Sequence, residues 1–363
     1  AGDIFIAIKG KEKDGHTYID DVIKKKPSVI IASKLEERWK HQNVTILEVD
    51  DTISAMQKRA KYIRNCYSIP VVAITGSVGK TTTKELVYEL LKTKYQVRKS
   101  PKNYNNQIGI PLTLFELNIK DQILVLELGM NHKNEISELS KLCCPDVSLI
   151  TNIGTAHIGY LKGKKNIAKA KLEILDGMES GYFIKNPYDP YLKKVKSKSV
   201  EIINPEIDTK LFFTNVKLFQ TKTYALLHYK NECYPVTVHI PGKRILENIL
   251  LALQVGLLFQ ISIEEMISVV ENFKLPFGRG TFLSGNNNVT VINDTYNASL
   301  ESLENNLISL KLASKEKYLI FGDFLELGTY TKKIHKKASK MIRKIPNLHV
   351  ILIGPNAKIM RKY

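Results

Sequence analysis

The feature that most constrains the fold of this chain is the segment ITGSVGKTTTK at residues 74–84. An apolar run at residues 71–74 leads into it, and an amphipathic run at residues 85–91 follows it. A strand, a glycine-rich loop and a helix in this order form the context that a phosphate-binding loop requires. In such a loop, main-chain N–H groups at the start of the helix hold phosphate oxygens. The sequence therefore predicts an α/β domain built around an anion-binding turn.

Two side chains of this loop carry the expected chemistry. Lys80 would reach the β- and γ-phosphates of a nucleotide, and the Thr81 hydroxyl would bind Mg²⁺. The strict pattern asks for glycine at position 74, where this chain has isoleucine, so the loop is a variant. A glycine-rich turn that binds no nucleotide is the alternative interpretation. Nucleotide contacts are expected from Thr75, Gly76, Ser77, Val78, Gly79, Lys80, Thr81 and Thr82.

The net charge of the chain indicates which classes of binding partner to expect. The chain carries 54 Lys and Arg residues against 36 Asp and Glu, a formal net charge of +18. Such an excess favours anionic partners, namely nucleic acid, a membrane surface or a phosphorylated substrate. The basic residues are scattered in short runs, however, which is typical of solvated faces. We therefore expect small-molecule substrates and no nucleic acid as partners.

Hydropathy and cysteine content bear on location. No stretch of eighteen consecutive apolar residues occurs in the sequence, so we expect no stable membrane insertion. The first residues read as a strand and not as a signal peptide. The four cysteines show no metal-ligand spacing, which predicts reduced thiols. We therefore expect a cytoplasmic protein, and we expect it to be a monomer.

Apolar runs divide the chain into three predicted domains, at residues 1–68, 69–275 and 276–363. We expect the first and the last of these domains to be partial. From residue 70 strands alternate with helices, which predicts a mostly parallel sheet, and a linker at residues 274–280 precedes a second α/β series. Strands are predicted at residues 4–8, 28–32, 45–49, 71–74, 123–128, 147–150, 289–292, 318–321 and 349–353, with further strands within 182–240. Helices are predicted at residues 54–66, 80–92, 133–142, 166–177, 244–259, 263–273, 299–310 and 331–342.

Polar residues cluster where predicted strands end, which is where open α/β sheets bind ligands. Glu127 closes the apolar run ILVLE at residues 123–127. A carboxylate among buried strand residues is costly unless it is paired or bound to a metal. Beside a phosphate loop it would be a natural Mg²⁺ ligand. A glutamate on an edge strand in solvent is the alternative.

His157 ends the segment TNIGTAH, which follows the predicted strand at residues 147–150. A lone histidine is more often structural than ligating. Its place after a strand end and a glycine turn nevertheless favours a role in binding metal or phosphate. Lys169 and Lys171 follow on a predicted helix, where composition alone predicts a solvated face.

Three further clusters are weak as isolated motifs. Asn103, Asn105 and Asn106 offer amide donors and acceptors to a polar ligand, although turn chemistry explains them equally well. The segments NDTYN at residues 293–297 and GDFLELG at residues 322–328 again follow predicted strands.

Taken together and in this order, these segments resemble the Mur ligase family of bacterial cell-wall synthesis, and within it the branch that adds D-alanyl-D-alanine. The resemblance covers essentially the whole chain. Besides the segments already quoted, it rests on AGDIFIAIKG at residues 1–10, DGH at 14–16, NYNNQIGIPLTL at 103–114 and NIAKAKLEI at 166–174. It implies a three-domain Mur ligase architecture of α/β class, with a central P-loop ATPase domain and a Rossmann-like C-terminal domain.

The resemblance also implies ligands and their residues. ATP would bind with two Mg²⁺ ions, the first held by Thr81 and Glu127 and the second by His157 and Lys171. Lys171 would be carbamylated, which turns an ammonium into an anionic oxygen ligand. The implied catalytic residues are Lys80, His157 and Lys171. Further nucleotide contacts are implied for Asn248, Arg279, Asp294 and Asn297, and substrate contacts for Asn103, Asn105 and Asn106.

The implied reaction is ATP-dependent amide formation. The terminal carboxylate of UDP-N-acetylmuramoyl-tripeptide would be phosphorylated, and the amine of D-Ala-D-Ala would attack the acyl phosphate. Domain closure would exclude water from this intermediate. Two alternatives stay open. One is a related amide ligase with another acid or amine, and the other is a non-catalytic nucleotide-binding homologue or a P-loop protein whose basic surface binds nucleic acid.

Three positions, in two segments, depart from the family pattern. The segment GKRI at residues 242–245 stands where G-K-H-N is usual, and Leu300 stands where a proline is common. Both chain ends also look shorter than in relatives, and the missing C-terminal portion would contribute to the dipeptide site.

Overall fold

The computed structural model describes residues 2–40 and 42–363, so Ala1, with which the N-terminal motif begins, lies outside the described residues. The chain forms two compact units. The smaller unit holds the residues up to Ser68 together with Gln107–Leu117, and the larger holds Ile69–Asn106 and Asn118–Tyr363. The division into three domains at residues 68/69 and 275/276 stays a prediction.

Helices and strands alternate along most of the described chain. The helices are α1 (Ile19–Lys24), α2 (Glu37–Lys40), α3 (Thr52–Cys66), α4 (Lys80–Leu91), α5 (Gly109–Phe115), α6 (Glu135–Cys143), α7 (Ile158–Leu161), α8 (Lys164–Leu172), α9 (Pro205–Asp208), α10 (Lys243–Leu258), α11 (Ile263–Asn272), α12 (Leu300–Leu312) and α13 (Thr331–Ile342). The strands are β1 (Ile4–Ile6), β2 (Val29–Ala32), β3 (Thr45–Glu48), β4 (Val71–Thr75), β5 (Val97–Lys99), β6 (Ile123–Glu127), β7 (Val147–Ile150), β8 (Tyr182–Lys185), β9 (Glu201–Ile203), β10 (Phe212–Leu218), β11 (Thr223–Tyr229), β12 (Glu232–Val238), β13 (Thr281–Ser284), β14 (Thr290–Asn293), β15 (Lys317–Phe321) and β16 (Leu348–Leu352).

The smaller unit contains a parallel sheet in the order β1-β2-β3. Alternate residues of β2, Ile30 and Ala32, are buried in a core that includes Trp39. The indole N–H of Trp39 donates to Oδ1 of Asp20 at 2.7 Å, so the buried ring leaves no donor without a partner. The predicted strands of this unit are all present. Helix α5, which packs against α3, was not predicted from the sequence.

The larger unit is organised by a six-stranded parallel sheet in the order β5-β6-β4-β7-β8-β9. Every residue of β4, β6 and β7 is buried. Strands covered on both faces read as continuous apolar runs, which is why VVAIT and ILVLE are recognisable in the sequence. The sheet places the carboxyl ends of β4, β6 and β7 side by side, with the phosphate-loop segment directly after β4. The predicted parallel α/β sheet is thus confirmed.

Helices α4 and α10 pack together against this sheet. Leu86 and Leu90, one turn apart on α4, are fully buried in the same core as Leu250 of α10. Spacing of this kind gives a helix one apolar face. The strand-rich stretch predicted within residues 182–240 contains β8 and β9 of the parallel sheet and a separate antiparallel sheet in the order β10-β11-β12.

The C-terminal part of the larger unit contains two pairs of strands. Strands β15 and β16 are parallel, as the predicted α/β series requires, whereas β13 and β14 are antiparallel. Asn287 and Asn288, both with left-handed backbone conformations, lie in the short turn that joins β13 to β14. A turn of this length allows only an antiparallel pairing. None of the helices in the described part of the chain combines the length and apolar composition that a bilayer span needs.

Candidate active site

The loop after β4 has a backbone that only glycine adopts easily at two positions. Gly79 has φ = +87°, and a Cβ atom there would lie 2.7 Å from Nδ2 of Asn248. Gly76 has φ = +153°, and a Cβ atom there would lie 1.8 Å from Oγ1 of Thr151. Both glycines are therefore required by conformation and by close neighbours. Gly79 precedes α4, so the loop ends at the N-terminus of a helix, where anions bind.

A second segment supports this loop from the end of β7. The main-chain N–H of Ser77 donates to the carbonyl of Asn152 at 3.0 Å, and that of Val78 donates to its Oδ1 at 3.2 Å. Nδ2 of Asn152 returns a hydrogen bond to the carbonyl of Val78 at 2.8 Å. The N–H of Gly154 donates to Oγ of Ser77 at 2.8 Å. The segment that carries His157 and the phosphate loop therefore form one hydrogen-bonded assembly.

Lys80 is half-buried and folds back over its own loop. Its Nζ donates to the carbonyl of Gly76 at 2.9 Å. Burial lowers the pKa of Lys80 below the ordinary value for a lysine, while the nearby Glu127 carboxylate acts in the opposite direction. The ammonium thus lies at the position where it can meet the phosphates of a nucleotide held by the loop.

Thr81 and Glu127 meet at the carboxyl end of the sheet. Oγ1 of Thr81 donates to Oε2 of Glu127 at 2.8 Å, and Nδ2 of Asn105 donates to Oε1 at 2.8 Å. Only 2 % of Glu127 is exposed. Among residues 2–40 and 42–363, no Lys, Arg or His lies within ion-pair distance of this carboxylate. The Glu127 carboxylate is buried next to a hydroxyl and has no ion-pair partner among these residues, although Lys80 is near enough to interact with it electrostatically. Such an oxygen donor set fits Mg²⁺.

His157 and Lys171 are near enough to each other to interact electrostatically. His157 caps α7 with φ = +60°, and its Nδ1 lies 2.6 Å from Oε2 of Glu326. Burial lowers the pKa of His157 to about 4, and the charges of Lys171 and Lys80 add to this effect. The histidine is therefore neutral at pH 7, as a metal ligand must be.

Lys171 has surroundings that are unusual for a lysine. It is 1 % exposed, and within the described residues its ammonium makes no hydrogen bond or ion pair. Burial, together with the charge of Lys80, lowers the pKa of Lys171 well below the ordinary value. Lys169, two residues earlier, is exposed. Composition alone predicted a solvated face for both lysines, and for Lys171 the structure corrects that prediction.

Carbamylation requires the neutral form of an amine, so a buried lysine with a lowered pKa and no hydrogen-bond partner among the described residues fits the modified residue. Across the part of the chain that the structure describes, no three His, Cys, Asp or Glu side chains converge on a common point as metal ligands. A metal here would therefore depend on the Thr81 hydroxyl and on a modified Lys171 in addition to Glu127 and His157.

A cleft of about 280 Å³ opens beside the phosphate loop. Arg279 reaches across it and donates to Oγ1 of Thr81 at 3.0 Å, while its guanidinium stacks over the Tyr296 ring. Asp294 accepts a hydrogen bond from Nδ2 of Asn306 at 2.7 Å, and burial raises the pKa of its carboxyl. The cleft brings together ten of the predicted site residues: Ser77, Val78, Gly79, Thr81, Thr82, His157, Asn248, Arg279, Asp294 and Asn297.

The other predicted site residues, Lys80, Glu127 and Lys171 among them, do not line this cleft. Thr75 ends β4, and its hydroxyl donates to the carbonyl of Leu128 at 2.8 Å. Gly76 is packed against Thr151. Asn103 and Asn106 are exposed, and of the three predicted asparagines Asn105 alone is hydrogen-bonded to Glu127.

Several residues at the site were not predicted from the sequence. Lys84 is fully buried on α4, and its Nζ donates to the carbonyls of Ser100 and Lys102 at 2.7 and 3.3 Å. Arg244, at the position where the family usually has histidine, lines the cleft and pairs with Glu304 at 3.0 Å. The remaining unpredicted residues are Asn152, Glu301 and Glu326. Local signals could have marked three of them. Asn152 and Glu326 lie in the segments TNIGTAH and GDFLELG, which follow predicted strands, and Lys84 is a charged residue inside the amphipathic helix segment TTTKELV.

Comparison with known proteins gives a consistent result. Residues 74–256 match the Mur ligase middle domain. The UDP-N-acetylmuramoyl-tripeptide--D-alanyl-D-alanine ligase of Bacillus subtilis is 32 % identical over 347 residues, which cover 93 % of this chain and 74 % of that protein. The ligase of the same name from Rickettsia prowazekii is 31 % identical over 98 % of this chain and 81 % of its own length.

Solved structures with the same fold carry related names. A crystal structure of MurF from Acinetobacter baumannii superposes with a TM-score of 0.93 at 29 % identity, covering 100 % of this chain and 80 % of that one. MurF ligase from Thermotoga maritima in complex with ADP superposes with a TM-score of 0.89 at 28 % identity, covering 99 % of this chain and 83 % of that one.

Proposed function

The chain belongs to the Mur ligase family, and from this premise we propose that it joins D-alanyl-D-alanine to UDP-N-acetylmuramoyl-tripeptide with consumption of ATP. Its relatives from Bacillus subtilis and Rickettsia prowazekii bear the name of that reaction. The Thermotoga maritima structure of the same fold was obtained with ADP. These likenesses support a nucleotide-dependent ligase, and the site residues support the chemistry.

One observation carries the proposal most directly. The Thr81 hydroxyl and the buried Glu127 carboxylate lie 2.8 Å apart at the end of the phosphate loop, and Arg279 reaches the same hydroxyl. This combination of a glycine loop, a buried carboxylate and a guanidinium suits a nucleotide with its metal. We propose that Thr81 and Glu127 hold one Mg²⁺ and that His157 and carbamylated Lys171 hold a second. When bound, Mg²⁺ would neutralise charge on the phosphoryl oxygens during transfer.

The proposed reaction has two steps, and positively charged residues of the site assist the first of them. The terminal carboxylate of the tripeptide attacks the γ-phosphorus of ATP, which gives an acyl phosphate and ADP. Lys80 and Arg279 place positive charge where the transferred group carries negative charge. The amine of D-alanyl-D-alanine then attacks the acyl carbon, and the tetrahedral intermediate collapses to the amide with loss of phosphate.

Lys171 contributes through its amine. A neutral amine adds to CO₂ to form a carbamate and releases one proton, whereas an ammonium does not react. Burial lowers the pKa of Lys171 and so favours the neutral form, and among the described residues its amine makes no hydrogen bond that the modification would break. The carbamate would supply the anionic oxygen that the His157 side of the site lacks.

Several expectations stay predictions. Contacts of Asn103, Asn105 and Asn106 with substrate rest on the resemblance. The monomeric state and the location in the cytoplasm are likewise predictions.

A phosphate-release assay tests the proposal. The wild-type chain should release phosphate from ATP only when Mg²⁺, UDP-N-acetylmuramoyl-tripeptide and D-alanyl-D-alanine are all present. Lys80→Ala should abolish release, while Lys92→Ala, at the exposed end of the same helix, should retain it. Full turnover in Lys80→Ala would refute the assigned role, and preference for another amine or acid in a substrate panel would refute the assigned substrates.

A further inference from the structure

Glu301 is a buried carboxylate on α12 whose two oxygens are both used to hold a different part of the chain. Its Oε1 accepts from the main-chain N–H of Thr155 at 3.0 Å, and its Oε2 accepts from the Thr155 hydroxyl at 2.9 Å. Only 6 % of Glu301 is exposed. The nearest cation, Nζ of Lys164, lies 4.0 Å away on a side chain that is 38 % exposed. The Glu301 carboxylate is therefore stabilised mainly by the two hydrogen bonds from Thr155.

We propose that Glu301 is a positioning residue that ties the C-terminal segment bearing Arg279 and Asp294 to the loop that carries His157. The proposal rests on the proposed function in one respect, namely that the cleft binds an adenine nucleotide. It concerns a residue that makes no contact with the reacting atoms and acts through Thr155.

The residue next to Thr155 connects Glu301 to the phosphate loop. Gly154, its neighbour, donates its N–H to Oγ of Ser77 in the phosphate loop at 2.8 Å. A Cβ atom on Gly154 would lie 2.9 Å from Oε1 of Glu301 and 3.0 Å from Cβ of Ser77. Glu301 and Ser77 thus enclose Gly154 from two sides, and no side chain fits between them. A displacement of Glu301 would therefore shift Gly154 and, through it, Ser77 in the phosphate loop.

Glu301 itself belongs to the C-terminal segment that lines the cleft. Glu301 lies in the first turn of α12, four residues after Asn297 and seven after Asp294. All three residues line the cleft together with Thr155 and His157. A nucleotide that contacts both Asp294 and the phosphate loop requires these two segments to keep a fixed separation, and the Glu301–Thr155 hydrogen bonds are charge-assisted contacts that hold it.

A direct role of Glu301 in binding the nucleotide is less consistent with the geometry. Both of its oxygens are committed to Thr155, so neither is directed to a ligand. An additional carboxylate facing the phosphates would also repel them. The contribution of Glu301 is therefore the position of Thr155 and of the residues on either side of it.

The experiment measures ADP affinity by calorimetry in the presence of Mg²⁺, together with the unfolding temperature of each unliganded variant. Glu301→Ala should weaken ADP binding on the order of tenfold or more, the range for loss of charge-assisted hydrogen bonds. Glu301→Gln should retain part of the affinity, since the amide replaces the carboxylate shape without its charge. Thr155→Val should weaken binding, and Thr155→Ser, which keeps both donors, should bind like the wild type.

A double variant, Glu301→Ala with Thr155→Val, distinguishes loss of the Glu301–Thr155 hydrogen bonds from a general loss of packing. Thr155→Val should cost little further affinity when Glu301 is already alanine, because the partner of its hydroxyl is gone. The matched control is Glu264→Ala, an exposed glutamate in the first turn of α11, which should change ADP affinity less than about twofold.

Three results would overturn the proposal. These are unchanged ADP affinity in Glu301→Ala, fully additive losses in the double variant, or losses that follow only the fall in unfolding temperature and also occur in Thr155→Ser. The proposed function fails separately, since a wild-type chain that binds ADP but forms no amide leaves this test intact.

Discussion

The hydroxyl of Thr81 donates to Oε2 of Glu127 at 2.8 Å, which joins the first turn of α4 to the end of β6. The two residues are far apart in sequence and meet because β4 and β6 are neighbours in a parallel sheet. The carboxyl ends of parallel strands share one edge, so the loop after β4 and the last residue of β6 face the same ligand. This contact is the basis for the metal site that we propose.

Glu127→Gln tests that site. The amide keeps the size of the side chain but removes the negative charge that a Mg²⁺ ion needs. We expect the Mg²⁺ concentration for half-maximal phosphate release to rise, and the maximal rate to fall on the order of a hundredfold. A Mg²⁺ titration of phosphate release measures both. Glu89→Gln, on the exposed side of α4, is the control and should resemble the wild type. Identical Mg²⁺ dependence in the two variants would contradict the assignment of Glu127.

Lys171→Met tests the carbamate. Methionine fills a similar volume and cannot add CO₂, so we expect loss of ligase activity. Incubation with ¹³C-bicarbonate should give a carbamate signal in the wild-type NMR spectrum that is missing from Lys171→Met. Lys169→Met is the matched control, because Lys169 lies on the same helix but is exposed, and it should keep the signal. A carbamate signal that survives in Lys171→Met would place the modification elsewhere.

Lys84→Met tests a buried ammonium that the mechanism does not use. Lys84 holds the carbonyls of Ser100 and Lys102, which lead into the asparagine loop at residues 103–106. Loss of these donors leaves buried acceptors without partners, which costs roughly 1–3 kcal/mol. Urea unfolding should therefore show lower stability, and the KM for the UDP substrate should rise more than the KM for ATP.

Lys92→Met provides the comparison for Lys84→Met. Lys92 is exposed at the end of the same helix and pairs with Glu89 at the surface, so its loss should change stability by less than about 1 kcal/mol. Equal stability of the two variants would show that the Lys84 contacts contribute little.

Glu247→Gln tests a pH dependence of stability. Burial raises the pKa of Glu247 above the ordinary value, while a hydrogen bond from Nδ2 of Asn186 at 3.0 Å partly opposes this. The folded state thus holds the proton more tightly than the unfolded state. The cost of the charged form is absent in acid and grows as pH rises through the ordinary glutamate pKa of about 4.3.

The Glu247→Gln variant should therefore have a higher unfolding temperature than the wild type at pH 8 and the same temperature at pH 4. Thermal unfolding at both pH values measures this, with Glu179→Gln as an exposed control. A gain in unfolding temperature that is equal at pH 4 and pH 8 would show that the carboxylate charge is not its cause.

Local patterns account for the elements that the sequence predicts well. The predicted strands and helices are present with bounds within two residues, counting the 3₁₀ turn Glu173–Gly177 with α8. Apolar runs on β4 and β6, and the one-turn spacing of Leu86 and Leu90, are signals within a few neighbouring residues. Helix α5 was missed because its seven residues, with a proline in the first turn, carry a weak local signal.

The hairpin of β13 and β14 marks the limit of such patterns. Alternation of strands and helices predicts parallel neighbours, and it is correct for β15 and β16. The turn at Asn287 and Asn288 reverses the chain within a few residues. Consecutive asparagines are typical of such a turn, whereas the prediction rested on the alternation of strands and helices.

The phosphate loop can be recognised without a structure, because Gly76 is followed within five positions by the consecutive residues Gly79, Lys80 and Thr81. The parallel α/β sheet can be recognised too, because strands buried on both faces must be continuously apolar. Other features depend on how distant segments pack: the hydrogen bonds of Glu301 with Thr155, those of Lys84 with the loop before Asn103, and the lack of a partner for Lys171 among the described residues. Glu301 and Thr155 are 146 positions apart, and a contact over that separation leaves no local pattern to read.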